Sequence, residues 1–447
     1  MRSAYLHHET PTKPSSEVII DLEARPSNWE VAPGRTVAAW TYNGQVPGPT
    51  IEAEVGDTVV VRLTNSLDEP TTIHWHGIRL PAAMDGTQVV QPLVQPGEMF
   101  EYRFTVPDAG TFWYHSHHNE TVQMERGLYG ALVVRDAGEV KVDRERLLML
   151  DDMKLRRNGD FAKFGSWIEE HTGREGDVRL VNGKSEPTLD VAAGQVERWR
   201  VINASSARYV LLSIGGQEFF IVGTGGGLIE ERVLVREVLL VPGDRADIVV
   251  GPFVEGAELF VNAMPYNRHT GKPKVERFAT VRVGARRESV AVIPDRMRSI
   301  EPLAAPDATP NRVVTMSERL SLRRGTDFMI NGEMHHNDKP VMVGELQIWD
   351  VVNASHMDHP FHLHGFFFQV LNVNGVAPAY RAWQDTVNVP PKGRVRIAWM
   401  PDDRPGFWMY HCHILEHHAG GMMANFAVVR PGEELMANGM TAHSWHA

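Results

Sequence analysis

Cysteine is nearly absent: Cys412 is the single one among 447 residues, so no disulfide can form within the chain. A thiol of that kind ordinarily serves as a small buried hydrophobe. Long apolar runs are missing too. The stretch 233–241 is among the longest and is interrupted by charge, short of the ~18 residues that a membrane-spanning helix requires. Basic charge is in deficit, with 45 Lys and Arg against 56 Asp and Glu and a formal net charge of −11. That balance argues against a sequence-independent hold on polyphosphate. Neither nucleic acid nor membrane is expected as a partner, and a monomer is the working expectation. The opening MRSAYLHHETPTKPSSEVII has no apolar core and no small-residue cleavage site, so no secretory leader is visible. The expectation is a periplasmic or extracellular protein if a leader has been removed, with the cytoplasm as the alternative.

What is present is enough chain for about three domains at ~150 residues each, and 43% apolar composition to give each a core. Three segments resemble one another. TYNGQVPGPTIEAEVGDTVVVRLTNS, LVNGKSEPTLDVAAGQVERWRVINAS and MINGEMHHNDKPVMVGELQIWDVVNAS share Asn-Gly, then Gly, then Asn. Asn43, Gly56 and Asn65 answer to Asn182, Gly194 and Asn203, and to Asn331, Gly344 and Asn353. A second landmark follows in each, Pro96-Gly97, Pro242-Gly243 and Pro391-Lys392-Gly393, and leads into the alternating runs EMFEYRFTV, DRADIVV and RVRIAWM. Short Val/Ile/Thr/aromatic runs bounded by Gly and Pro predict antiparallel β-sandwiches, with little helix. Residues 288–311 carry four prolines and read as a connector. The predicted domains are 1–137, 138–287 and 288–447.

Twenty-one histidines need an explanation. Four His-x-His pairs occur, His74/His76, His115/His117, His362/His364 and His411/His413, where chance gives roughly one. Two lie in the first repeat and two in the third, while the second has only the unpaired His171 and His269. On a strand, residues i and i+2 share a face, so each pair offers two imidazoles to one metal or two adjacent metals. The eight rings can converge where the first and third repeats meet. Imidazole suits several transition metals, and the third repeat narrows the choice. In HCHILEHHAGGMM, Cys412 and His417, with His359 upstream in HPFHLHG and a weak axial thioether from Met422 or Met423, make the His₂Cys set of a blue-copper centre. Alternation then turns Cys412 to one face and His411 and His413 to the other, so one tripeptide wires the two sites together.

The four motifs HWHG, HSH, HPFHLHG and HCHILEH…M, in that order, resemble the three-domain multicopper oxidases of the laccase type. The likeness extends over essentially the whole chain. It implies an all-β fold of three consecutive cupredoxin-like Greek-key sandwiches. It also implies four coppers per chain, one type 1, one type 2 and two type 3. By that resemblance His359, Cys412, His417 and Met422 hold the type 1 copper, His74 and His362 the type 2 copper, and His76, His115, His117, His364, His411 and His413 the type 3 pair. The activity implied is one-electron oxidation of phenolic or aromatic donors coupled to reduction of O₂ to water, with the ring edges of His359 or His417 as the place where electrons come in.

Asp85 matches the family's acidic residue near the type 2 copper. At the position after His417, where the family often carries a glutamate proton relay, this chain has His418, which shifts the relay to an imidazole or casts doubt on it. Asp385, in WQDTVNVPP, is a candidate to orient a ligand imidazole. His7, His8, His335, His336, His443 and His446 read as solvated, and His118 and His356 as neighbours of ligands. Two other functions compete: oxidation of Cu(I), Fe(II) or Mn(II), with acidic residues near His417 serving iron, and a non-catalytic copper-binding relative. The intact ligand set weighs against the last. The 19 methionines form no methionine-rich insert, which weakens the cuprous version.

Overall fold

The computed structural model describes residues 15–270, 272–321 and 325–432. His7, His8, His443 and His446 lie outside them. Each repeat folds into two packed sheets. In the first, Arg35–Tyr42, Glu17–Ala32, Thr58–Asn65 and Met99–Thr105 form one sheet, and Ile51–Glu54, Tyr129–Arg135, Gly110–His115 and His74–His76 the other. A core containing Leu22, Val59, Trp75, Tyr114 and Leu132 fills the space between them. The second repeat packs a seven-stranded sheet on a five-stranded one, and the third a five-stranded sheet on a six-stranded one. The three sandwiches are cupredoxin-like, as the motifs imply.

The repeated asparagines have a physical reason. Asn65, Asn203 and Asn353 each end a strand, are buried, and pin the loop that follows. The Asn65 amide donates to the carbonyls of Glu69 and Val94, at 2.9 and 2.8 Å. Asn203 donates to Arg208 and Leu240, and Asn353 to Met357 and Val389. In every case the side-chain oxygen accepts the backbone N–H two residues on. A buried carbonyl without a donor is costly, so this device recurs wherever the strand gives way to a loop. The Asn-Gly pairs sit at tight turns with positive φ at both positions, as at Asn182 (51°) and Gly183 (71°). The third copy departs from the Pro-Gly pattern without changing its shape: Lys392 adopts a φ of 53° where Gly97 and Gly243 have 82° and 86°.

Among the described residues helix is confined to short pieces: α1 (Glu120–Gln123), α2 (Trp167–Thr172), α3 (Leu415–Ala419) and a 3₁₀ turn at Ala82–Met84. Among the described residues no helix is long and apolar enough to cross a membrane, which says nothing of strands. A fourth apolar cluster, with Val31, Trp113, Met149, Leu180, Ile202 and Leu415, lies where all three repeats meet. The metal-site candidates described below sit at that meeting point.

Asn203 is not itself a metal-ligand candidate, so Asn203→Ala tests the loop-pinning device without removing a ligand. Loss of three buried hydrogen bonds should cost about 2–4 kcal/mol, read as a lower unfolding midpoint in urea. An unchanged midpoint would contradict this account of the repeat.

Candidate metal centre

Antiparallel pairing brings the histidine motifs together two by two. His74 lies opposite His115, and His362 opposite His411. Only His74 and His76 sit wholly on one strand (His74–His76). His117, His364 and His413 fall just past strand ends, so shared strand faces explain one pair and loop geometry places the rest. All eight rings nevertheless gather across the interface of the first and third repeats. His74 stacks on His364 at 3.9 Å, and His76 on His362 at 3.8 Å. None is more than 6% exposed.

Their nitrogens divide into two kinds. One nitrogen of each of seven rings has a protein partner. His74 Nδ1 donates to the Asp85 carbonyl (2.8 Å), His115 Nδ1 to the Ser116 carbonyl (2.8 Å) and His411 Nδ1 to the Cys412 carbonyl (2.9 Å). His117 Nδ1 meets the Glu120 carboxylate at 2.9 Å, and His364 Nδ1 meets Asp85 Oδ2 at 2.9 Å. His362 Nδ1 donates to the Asp385 carbonyl, and His76 Nε2 meets Asp385 Oδ1 at 3.1 Å. The opposite nitrogens of His74, His76, His115, His117 and His362 are buried without a partner, as are both of His413. His364 Nε2 and His411 Nε2 face each other at 2.9 Å. Burial, and then the neighbouring imidazoles, hold the rings of His115, His364 and His411 well below the usual histidine range, so they are neutral. Unpaired, inward-facing nitrogens on neutral imidazoles whose outer nitrogens are anchored are what a metal ligand set requires.

A second convergence lies on the other face of the strand Gly406–Cys412. Cys412 Sγ is 3.5 Å from His359 Nδ1 and 3.7 Å from His417 Nδ1, and the two nitrogens are 3.1 Å apart. His411 points the opposite way, as alternation requires, and His413, just past the strand end, also faces the imidazole cluster. Met422 lies in the same apolar core as Cys412, whereas Met423, the next residue along, is not part of it. The outer nitrogens are again anchored, His359 Nε2 to Ser355 Oγ (2.8 Å) and His417 Nε2 to the His171 carbonyl (3.0 Å). Burial pushes the His359 ring down to about 3 and the Cys412 thiol up. Neither His359 nor His417 offers a ring edge to solvent, both being fully buried. The carbonyl of His171, at the end of α2, covers His417, and Phe328 stacks on its face at 4.0 Å.

Multicopper oxidase family profiles match residues 23–139, 145–271 and 307–432. The chain belongs to the multicopper oxidase family. It is 31% identical to the multicopper oxidase MmcO of Mycobacterium tuberculosis over 87% of this chain and 83% of that one. Among solved structures it resembles a multicopper oxidase from Campylobacter jejuni, named as a metallo-oxidase, with 32% identity, a TM-score of 0.82 and 92% of each chain covered. It also resembles a laccase-like multicopper oxidase from Ochrobactrum, named for activity towards lignin model compounds, with 25% identity and a TM-score of 0.80 over 94% of this chain and all of that one. As a member of this family the protein is a copper-binding oxidoreductase with O₂ as acceptor. The anchored imidazoles and the thiolate-imidazole set fit copper.

The carboxylates around this multicopper oxidase's cluster are buried rather than solvated. Asp85, 1% exposed, bridges the repeats through His364. Asp385 holds His76 and is itself gripped by Arg245 of the second repeat, at 2.6 and 2.5 Å. Burial alone would raise the Asp385 carboxyl, but Arg245 and the histidines hold it well below the usual range, so it positions imidazoles as an anion. His418 Nδ1 meets Glu120 Oε2 at 2.7 Å while the other oxygen of Glu120 holds His117. Its ring stacks on His411 at 4.3 Å. Glu120 and Arg245 escaped the sequence reading. Glu120 follows HSHHN by three residues from His117 and carried a readable signal, whereas Arg245 reaches the cluster from a repeat that has no ligand motif. His118 is half-buried beside Gln88, at 3.2 Å, and His356 is exposed. His336 pairs with Glu333.

Arg245→Met should strand a fully buried carboxylate among the imidazoles. It should lower stability by about 3–5 kcal/mol and reduce copper per chain. Arg245→Met/Asp385→Asn should recover most of the stability. Wild-type melting and copper content in the single variant would contradict the clamp.

Proposed function

We propose that this multicopper oxidase takes electrons one at a time from phenolic and related aromatic donors and holds four coppers per chain. His359, Cys412, His417 and Met422 would hold the type 1 copper, His74 and His362 the type 2 copper, and His76, His115, His117, His364, His411 and His413 the type 3 pair. The domains are 1–137, 138–287 and 288–447, with ligands only in the first and third. Copper, when bound, supplies one-electron redox chemistry at the thiolate site and O₂ reduction at the cluster. The chain does the rest. Residues 411–413 join the two sets by the shortest covalent route, while Asp385 fixes His76. Asp85 and the Glu120–His418 pair are the groups within hydrogen-bond reach of the cluster that can pass protons.

The observation that carries this reading is the back-to-back arrangement of the His359–Cys412–His417 set and the imidazole cluster across one tripeptide. An aromatic donor is favoured because the acidic residue nearest His417 in sequence, Glu416, offers no landing place for ferrous ion. It is half-buried, accepts from the Arg174 N–H at 3.0 Å, and burial pushes its carboxyl up to about 8. Among the described residues, every cluster of three or more potential metal ligands is drawn from the ligand histidines above, His418, Cys412 and Asp385. The likeness to the Campylobacter jejuni protein, named as a metallo-oxidase, supports the second reading, in which Cu(I) or Fe(II) is the donor.

Turnover of the copper-loaded enzyme on 2,6-dimethoxyphenol, Cu(I) and Fe(II), followed by oxygen consumption, tests the choice. The phenol should give the highest kcat/KM, by about tenfold or more. A higher value with either metal ion would replace this reading by the second.

A further inference from the structure

With His359 and His417 sealed, a donor must couple to them through the protein. An opening lies beside α2. A cavity of about 240 Å³ is bounded by Ile168, Thr172 and Gly173 on the α2 side and by Tyr209, Tyr266 and Arg268 on the other. Tyr209 and Tyr266 lie parallel, 5.5 Å apart with 6° between their planes. The Tyr266 hydroxyl donates to Asp358 at 3.0 Å, and Asp358 is bonded directly to His359. Tyr209 packs in the same core as Cys412. This wall therefore reaches the type 1 set through one hydrogen bond and one peptide link.

The charges around the cavity are unequal. Lys154, Arg208, Arg268, Lys272 and Lys274 line it, against Glu169, Glu175 and Glu276. All three carboxylates are already committed, and so in turn are Lys154, Arg208, Arg268 and Lys274. Glu169 pairs with Lys154 and Arg174, Glu175 with Arg268 and Arg208, and Glu276 with Arg208 and Lys274. A metal cation finds no free carboxylate there. Arg268 is 5% exposed, and its Nε–H has no acceptor. Lys272 and Lys274 are at the exposed rim.

We propose that this cavity is the donor site and that it selects phenols carrying a carboxylate or sulfonate, the ring against the Tyr209–Tyr266 pair and the anionic group towards Arg268, Lys272 and Lys274. This rests on the phenol-oxidising reading above. Each phenol gives up one electron and its hydroxyl proton and leaves as a phenoxyl radical. Four such oxidations supply the four electrons that, with four protons, reduce one O₂ to two waters. Electrons reach the type 1 ligands by way of Tyr266, Asp358 and His359, and Tyr266 acts as a positioning residue for the ring.

The test uses the copper-loaded enzyme and two donors that differ only in the acid group, 4-hydroxy-3,5-dimethoxybenzoate and 2,6-dimethoxyphenol. In the Lys272→Glu/Lys274→Glu variant, the ratio of kcat/KM for the benzoate to that for the phenol should fall about tenfold or more, mainly through KM. Calorimetric binding of 3,4,5-trimethoxybenzoate, which has no oxidisable hydroxyl, should weaken in parallel. An unchanged ratio, or no binding of the trimethoxybenzoate to wild type, overturns the cavity as donor site and leaves the phenol-oxidising reading standing. Binding of the benzoate with oxidation of neither phenol overturns both the reading and the cavity's role as donor site.

Discussion

Eight imidazoles shut away from water in one place set the terms for the rest of the molecule. A buried polar nitrogen without a partner costs on the order of 1–3 kcal/mol, and this chain leaves one facing inward on ring after ring. No packing of apolar side chains requires that arrangement. It makes sense only as a site prepared for metal, with the outer nitrogens of seven of the rings anchored to carbonyls, Asp85, Glu120 and Asp385 so that each of those seven has one tautomer and one direction. Trp113, fully buried, packs against His76, His115 and His413. The shell that excludes water from the cluster is thus as much a part of the site as the ligands.

The second repeat carries no ligand motif, yet it is built into the centre. Arg245 leaves its own strand to grip Asp385 and to donate to the Thr111 carbonyl of the first repeat, so one guanidinium joins all three domains. Gly243 lies so close to the His413 ring that a Cβ there would stand 2.7 Å from it. That Pro-Gly turn is the same landmark that the other repeats use for ordinary strand connections. Helix α2 covers His417 with a backbone carbonyl and forms one edge of the proposed donor cavity. A domain that lost, or never had, copper ligands supplies the clamp, the spacing and the cover.

The sequence made the fold and the ligand pattern legible for different reasons. The repeat was readable because its asparagines perform a backbone task that few other side chains can perform, and the same residue therefore recurs at Asn65, Asn203 and Asn353. The histidine pairs were readable by spacing, although for three of the four the geometry comes from strand ends rather than strand faces. Asp85 and Asp385 could be named but not separated from solvated turn residues, because burial is a tertiary property. Glu120, Arg245 and the His171 carbonyl were hidden for the same reason. A backbone atom has no side-chain signature, and an arginine in an alternating strand reads as solvent-facing until the neighbouring domain is in place. The cover over His417 was not readable because α2 comes from a repeat with no copper motif to draw attention to it.

Copper content and the absorption spectrum of the purified protein, measured on wild type and Cys412→Ser together, test the central claim most directly. About four coppers per chain with a thiolate-to-copper band in wild type, and loss of that band with about three coppers retained in the variant, is the result this arrangement predicts. A blue band that survives in Cys412→Ser, or a wild-type protein that folds fully while binding no copper at its imidazole cluster, would contradict it.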